Sequence, residues 1–453
     1  MELDILSGLL SEAARISMSM VVDTASGVIL QKDSDIMYPE ECRFGRNTGN
    51  STGKSETIDA VEQGIDCQCL QEKKNKIRSC GRAVPQSSHL CELVMYRDKM
   101  DHRTSFGRSR CSFRAEYGDG IQSGHIRDVQ RISIKGVHRE MDLDAFNILI
   151  GLSTESLSCS FRHNIAGMDF SKTSLLTQLY DKGVIDEYKI GLYASSNPSS
   201  LSSLSAKKPS CTGPCMILGS FDPLFMDIQA INTSHSSGMI FPIYRGREMV
   251  LSIGSKQDVE YVASVQNMNR NTLDHHIYTI IDRIVIGNAH YGRVSGTIQT
   301  NESSVQRFSA IVDTSSTALS IPKYMYTTYI DVLTIWARRH DLQVVDKGEL
   351  CLVHRINVLA AIKAAKATDT FPLISLTLQG NSKSVDILLL ETSEVRLETN
   401  EVCLKLESSN PKFEQIVLGT PFFLDRYTSL DLTMRQGTIS DKIVSKSISL
   451  ASF

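Results

Sequence analysis

Two short stretches place an acid, a threonine, a small residue and a serine directly behind a pair of aliphatics: Val21-Val22-Asp23-Thr24-Ala25-Ser26 and Ile311-Val312-Asp313-Thr314-Ser315-Ser316. Taken singly, either is a turn, because short polar side chains hydrogen-bond the neighbouring backbone where a strand ends. Together they form a repeat in the same order, 290 residues apart, and self-similarity of that kind points to a duplicated architecture. Each half also carries a downstream aliphatic-aliphatic-Gly element, Leu149-Ile150-Gly151 and Val417-Leu418-Gly419. Two carboxylates brought within hydrogen-bonding reach cannot both ionise, so they share a proton and titrate as a coupled pair.

The surrounding elements are mostly β. Runs such as "RISMSMVV", "CSFRAEYGDG", "FNILIGL", "IYTIIDRIVIG" and "FPLISLTLQ" are rich in Val, Ile and Phe and bounded by Gly, Asn, Asp and Ser, the pattern of short strands. Three helices are expected, near 174–185, 323–340 and 355–367, where the apolar residues return at helical spacing. Strands and helices do not alternate, so a parallel α/β sheet is excluded. Residues 194–210, "ASSNPSSLSSLSAKKPS", form a Ser-rich linker with little to build a core. It divides the chain into an N-terminal β lobe, 1–193, and a C-terminal β lobe, 211–453.

Across nearly the whole chain these motifs resemble the pepsin-like (A1) aspartic proteases. In that family each lobe supplies one Asp-Thr-Gly-Ser/Thr loop over a glycine-ended strand, and a β-hairpin flap carries a tyrosine. Here "EYGDGIQSGHI" occupies the flap position, with Tyr117, Gly118, Asp119 and Gly120 at its turn. The segments "SLLTQLYDKGVIDEYKIGLY", "MILGSFDP" and "VLGTPFFLDRYTSLDLTMRQGTIS" continue the match. The cysteine-rich first half and the D-x-x-S-T form of the second loop look most like the plasmepsin V type of apicomplexan protease. The resemblance implies a bilobed fold of two pseudo-twofold-related lobes with the cleft between them. It implies an aspartic endopeptidase: Asp23 and Asp313 activate a water against a peptide carbonyl, and Tyr117 closes over the substrate. Thr24 and Thr314 would brace the loops, Ser26 and Ser316 would orient the carboxylates, and Cys351 and Cys403 resemble the C-lobe disulfide. Asp119 could face a basic substrate side chain, or simply suit a hairpin turn beside glycine. No cofactor or metal is implied, and the expected partner is a peptide or protein held by a monomer.

The chain departs from the family where each loop normally has glycine. Ala25 and Ser315 stand there instead, each adding a Cβ beside a carboxylate that must be placed closely. That leaves an alternative to the protease, a pepsin-fold pseudoprotease that binds peptides or proteins without cutting them.

Bulk properties fit either reading. The 453 residues can bury a large core, and 41% hydrophobic with 22% charged residues and a net charge of −3 suggest neither a nucleic-acid nor a membrane partner. No apolar run is long enough to span a bilayer, and the first twenty residues do not read as a signal peptide. Only 22 residues precede Asp23, which suggests a truncated N-terminus lacking a signal and prosegment. Eleven cysteines are many for a cytosolic protein, and Cys67, Cys69, Cys80, Cys91 and Cys111 cluster, while Cys211 and Cys215 form a close pair. A disulfide framework in the secretory pathway is the favoured reading, with zinc ligation or free thiols as alternatives. Sequons at Asn50, Asn232 and Asn301 agree with that route. The adjacent His275 and His276 do not have metal-pair spacing and read as structural or exposed.

Overall fold

A computed structural model describes residues 2–5, 15–16, 18–26, 29–37, 67–68, 82–94, 110–117, 120–135, 143–156, 164–194, 215–219, 239–246, 275–292, 307–409 and 415–440. They fall into two compact units, Met1–Tyr188 with Ala263–His276, and Lys189–Val262 with Ile277–Phe453. Both are mostly β, as expected.

In the first unit, the described strands join in a ten-stranded sheet. Its longest strands, Gly120–Lys135 and Leu143–Ser156, pair antiparallel over most of their length. Phe113, Ile126, Leu149 and Ile165 pack into one apolar cluster with Val84, Val94 and the disulfide Cys91–Cys111. The short helix Leu175–Asp181 begins where Ser174 accepts a hydrogen bond from the Thr177 N–H at 3.2 Å, satisfying one of the amides a helix start leaves open. Its buried Gln178 accepts from the Leu149 N–H at 2.7 Å and donates to the Leu149 carbonyl at 3.0 Å. One side-chain amide thus caps both polar groups of a residue in the neighbouring sheet.

The second unit holds sheets of five, eight and four described strands. Tyr278–Ile286 lies inside the eight-stranded sheet, paired on opposite edges with Phe308–Val312 and Ile374–Leu378. Helix Lys323–Arg338 buries Met325, Tyr329, Leu333, Trp336 and Ala337, a stripe spaced for a single helix face. Trp336 meets the Phe371 ring edge-on at 4.8 Å between centroids, which places the sole tryptophan in the core. The expected third helix forms at Val358–Thr368, with Asn357 accepting from the Ala360 N–H. The apolar run "DILLLE" changes conformation along its length: Val385–Ile387 is strand, and Leu389–Thr392 winds into a 3-10 turn that buries Leu389 and Leu390.

Candidate functional site

Each Asp-Thr-x-Ser stretch is a turn built on three strands of its own unit. In the first, Met18–Asp23 runs into the turn and Ile29–Met37 runs out. Between them lies Asn164–Gly167, parallel to the incoming strand with Gly167 opposite Asp23, and antiparallel to the outgoing one through Ile165 and Leu30. In the second, Phe308–Val312 and Leu319–Ile321 flank Ile416–Leu418 with the same senses. The glycine-ended strand of the first unit is therefore Ile165-Ala166-Gly167, and the expectation of Leu149-Ile150-Gly151 is corrected. Leu149–Gly151 sits instead on the far side of the outgoing strand, where Gly151 pairs with Leu30. The true partner was hidden because Ala166 replaces the second bulky aliphatic.

At the first turn Asp23, Thr24 and Ser26 are buried. The Ala25 N–H donates to Asp23 Oδ1 at 2.8 Å, and the Ser26 N–H donates to the Asp23 carbonyl at 3.4 Å. From the adjoining chain, the Met168 N–H donates to the Asp23 carbonyl at 2.8 Å and the Asp169 N–H to the Ser26 carbonyl at 3.2 Å.

His276, which the sequence reads as structural or exposed, closes this arrangement. His276 donates a hydrogen bond to the backbone of Ala25. The carbonyl of its neighbour His275 accepts from the Phe170 N–H at 3.0 Å. Burial, with a second imidazole beside it, outweighs the bond to Ala25 and pushes His276 down to about 4. Asp169 Oδ2 stands 3.9 Å from His276 Nδ1, at the limit of ion-pair reach, and does not reverse that direction. Asp169 is itself engaged, accepting from the Ser171 N–H through Oδ1 at 2.7 Å. The only sequence signal for His276 was its position just before the strand Tyr278–Ile286.

The second turn is held differently. Asp313 Oδ1 accepts from the Ser315 N–H at 2.9 Å, the Ser315 hydroxyl at 2.8 Å and the Ser316 N–H at 3.1 Å. Ser316 Oγ donates to the Ala318 carbonyl at 2.9 Å. Thr420 returns to the turn through its N–H and its hydroxyl, both donating to the Ser316 carbonyl at 2.8 and 3.0 Å. Gly419 passes so close beneath that a Cβ there would lie 2.1 Å from the Ala318 carbonyl oxygen. Thr314, like the rest of this turn, is half-buried.

The flap expectation rests on Ser112–Tyr117 and Gly120–Lys135, which pair antiparallel with Tyr117 opposite Gly120. Gly118 and Asp119 lie outside the described residues. Cys351 and Cys403 are joined, facing each other across paired strands Leu350–Val353 and Glu401–Leu404. Cys211 lies outside the described residues, and Cys215 is placed by its backbone in strand Cys215–Leu218. Among the described residues, the one trio with metal-ligand spacing is Glu349, Cys351 and Cys403. With both sulfurs in a disulfide and Glu349 paired to Arg396, it offers no thiolate for a metal.

No family profile matches the chain, and no curated protein does. Solved structures do. Basic 7S globulin from soybean superposes with a TM-score of 0.51 at 13% identity, over 95% of this chain and 91% of that one. For edgp the values are 0.52, 11%, 98% and 94%. For conglutin gamma, a basic 7S globulin from lupine seeds, they are 0.55, 12%, 97% and 94%. At such identities the likeness is one of fold, and the mostly β, bilobed pepsin-like fold expected from the sequence stands. The assignment to the pepsin-like proteases, and to the plasmepsin V type in particular, does not: the three structures are described as globulins or as edgp, and none as a protease. The endopeptidase expectation is corrected with it. Its physical weak point is the second turn, where the Ser315 hydroxyl adds a third hydrogen bond to the Asp313 Oδ1 that two backbone amides already hold.

Proposed function

We propose that this chain is a catalytically impaired protein of pepsin-like fold that binds an extended peptide or a protein segment and releases it uncut. The Asp313 turn carries the reading. Each hydrogen bond that a carboxylate accepts makes it a weaker base toward water, and Asp313 Oδ1 accepts three from its own turn, one of them from the Ser315 hydroxyl that stands where the loop would have glycine. Ligand contacts on this reading come from the hairpin around Tyr117, Gly118, Asp119 and Gly120 and from the polar Asp23 turn of the same unit. On the same reading Thr24 and Ser26 hold the Asp23 turn, and Thr314 and Ser316 hold the Asp313 turn of the other unit. The disulfides Cys91–Cys111 and Cys351–Cys403 support passage through an oxidising secretory compartment.

The test incubates purified protein with a random peptide library from acid to neutral pH and reads both retained peptides and fragments by mass spectrometry. Peptides should be retained intact, and Tyr117→Ala should weaken retention. Fragments produced by wild type and absent with Asp313→Ala would overturn the non-catalytic reading, and a library from which nothing is retained would overturn the binding.

A further inference from the structure

We propose that His276 is the positioning residue of the first Asp-Thr-Ala-Ser turn, fixing through the Ala25 backbone the peptide group against which Asp23 is set. The geometry supplies the path. The peptide joining Ala25 to Ser26 is held at its carbonyl by the imidazole and at its N–H by the Asp23 carbonyl, 3.4 Å away. On the other side of Ala25, its own N–H holds Asp23 Oδ1 at 2.8 Å. A shift of the Ala25 carbonyl therefore moves the donor that places the carboxylate.

The clamp is itself tied down. The His275 carbonyl accepts from the Phe170 N–H, and the Asp169 N–H donates to the Ser26 carbonyl, so these two backbone bonds and the His276 imidazole bond to Ala25 join the chain at 23–26, the chain at 168–170 and the His275-His276 pair in a ring. The titratable groups facing His276 are His275 beside it and Asp169 from the segment after Gly167, with Asp23 on the turn it grips. The second turn has another solution, the Thr420 N–H and hydroxyl on the Ser316 carbonyl. The two turns thus have the same strand arrangement and motif but differ in what braces them. An imidazole suits the first because, while neutral, it donates one hydrogen bond into a largely buried turn without bringing a charge.

This goes beyond the peptide-binding reading and is tested without a ligand, so the two can fail separately. Amide hydrogen exchange is followed in wild type, His276→Leu, which cannot donate, and His276→Gln, which can. The leucine variant should lose about fivefold or more protection at Ala25 and Ser26, the worth of one hydrogen bond, while Ile126 and Ile132 in the same unit keep theirs. The glutamine variant should restore it. On acidification, protection of the turn should fall in wild type as His276 takes up a proton and stay level in His276→Gln. A uniform loss across the unit in the leucine variant would make His276 a plain core residue and overturn the proposal. So would failure of glutamine to restore protection, or identical acid profiles. If the leucine variant does not fold, the comparison of wild type with His276→Gln across pH decides alone.

Discussion

Gly419→Ala should be among the most damaging single-methyl additions in the second unit, for reasons of space alone. The residue has φ −93°, which any amino acid adopts, so no backbone strain enters. The added Cβ would sit 2.1 Å from the Ala318 carbonyl oxygen, 2.6 Å from that of Ser316 and 2.9 Å from Ser316 Oγ, where ordinary contact begins near 3.4 Å. Something must retreat by 3.4 − 2.1 = 1.3 Å, and the obstacles are backbone. That retreat pulls apart the bonds from Asp313 N–H to the Leu418 carbonyl (3.1 Å) and from Thr420 N–H to the Ser316 carbonyl (2.8 Å). Overpacking costs about 1–3 kcal/mol and each lost bond about 1 kcal/mol, so the total is about 3–5 kcal/mol. Gly380→Ala is the control: φ is +79° with nothing within 4 Å of the new Cβ, so only the left-handed penalty of about 1–2 kcal/mol applies. The sole tryptophan, Trp336, is buried in this same unit and reports its unfolding in urea. With a slope near 2.5 kcal/mol/M, the midpoint should fall by about 1–2 M for Gly419→Ala and about 0.4–0.8 M for Gly380→Ala. Equal shifts at unchanged slope would refute the claim that close passage of this strand holds the Asp313 turn.

Replacing Cys351 and Cys403 together by serine opens a loop of 52 residues, worth about 4 kcal/mol by chain entropy; the same change at Cys91 and Cys111, 20 residues apart, is worth about 3 kcal/mol. Urea midpoints of the two double variants should fall in that order, and reductant should lower wild type but neither bond's contribution in its own variant. His276 gives stability a pH dependence. Its folded value is depressed to about 4 from 6.5, so the unfolded chain takes up the proton first. The contribution is complete above pH 6.5 and lost as pH falls toward about 4, a loss of about 3 kcal/mol. Stability of the first unit by circular dichroism should decline over that window in wild type and less steeply in His276→Gln; parallel declines would assign the acid sensitivity to other groups.

Much of this was legible because it rests on local chemistry. A polar turn after two aliphatics marks itself twice, at Asp23 and Asp313, and periodic apolar residues mark helices such as Lys323–Arg338. What escaped depends on neighbours far along the chain. Ile165-Ala166-Gly167 takes the central place by pairing with Val21 and Val22, and no local property distinguishes it from Leu149-Ile150-Gly151. Cys91 and Cys111 could be seen as a cluster but not as a pair, since spacing alone leaves the partners open. The Ser315 hydroxyl reads as a mere departure from glycine until its 2.8 Å bond to Asp313 is measured. His276 carries no motif, and its part follows only from where the chain returns.

That return sets an order of events during synthesis. The contiguous stretch of the first unit ends at Tyr188, yet the pair that closes its aspartate turn is His275-His276, from the segment Ala263–His276. At ribosomal rates of about 5–20 residues per second, the intervening chain occupies roughly 4–18 s. Throughout that interval the nascent first lobe lacks its clasp. Asp23 acquires its final setting only after part of the second lobe has already left the exit tunnel.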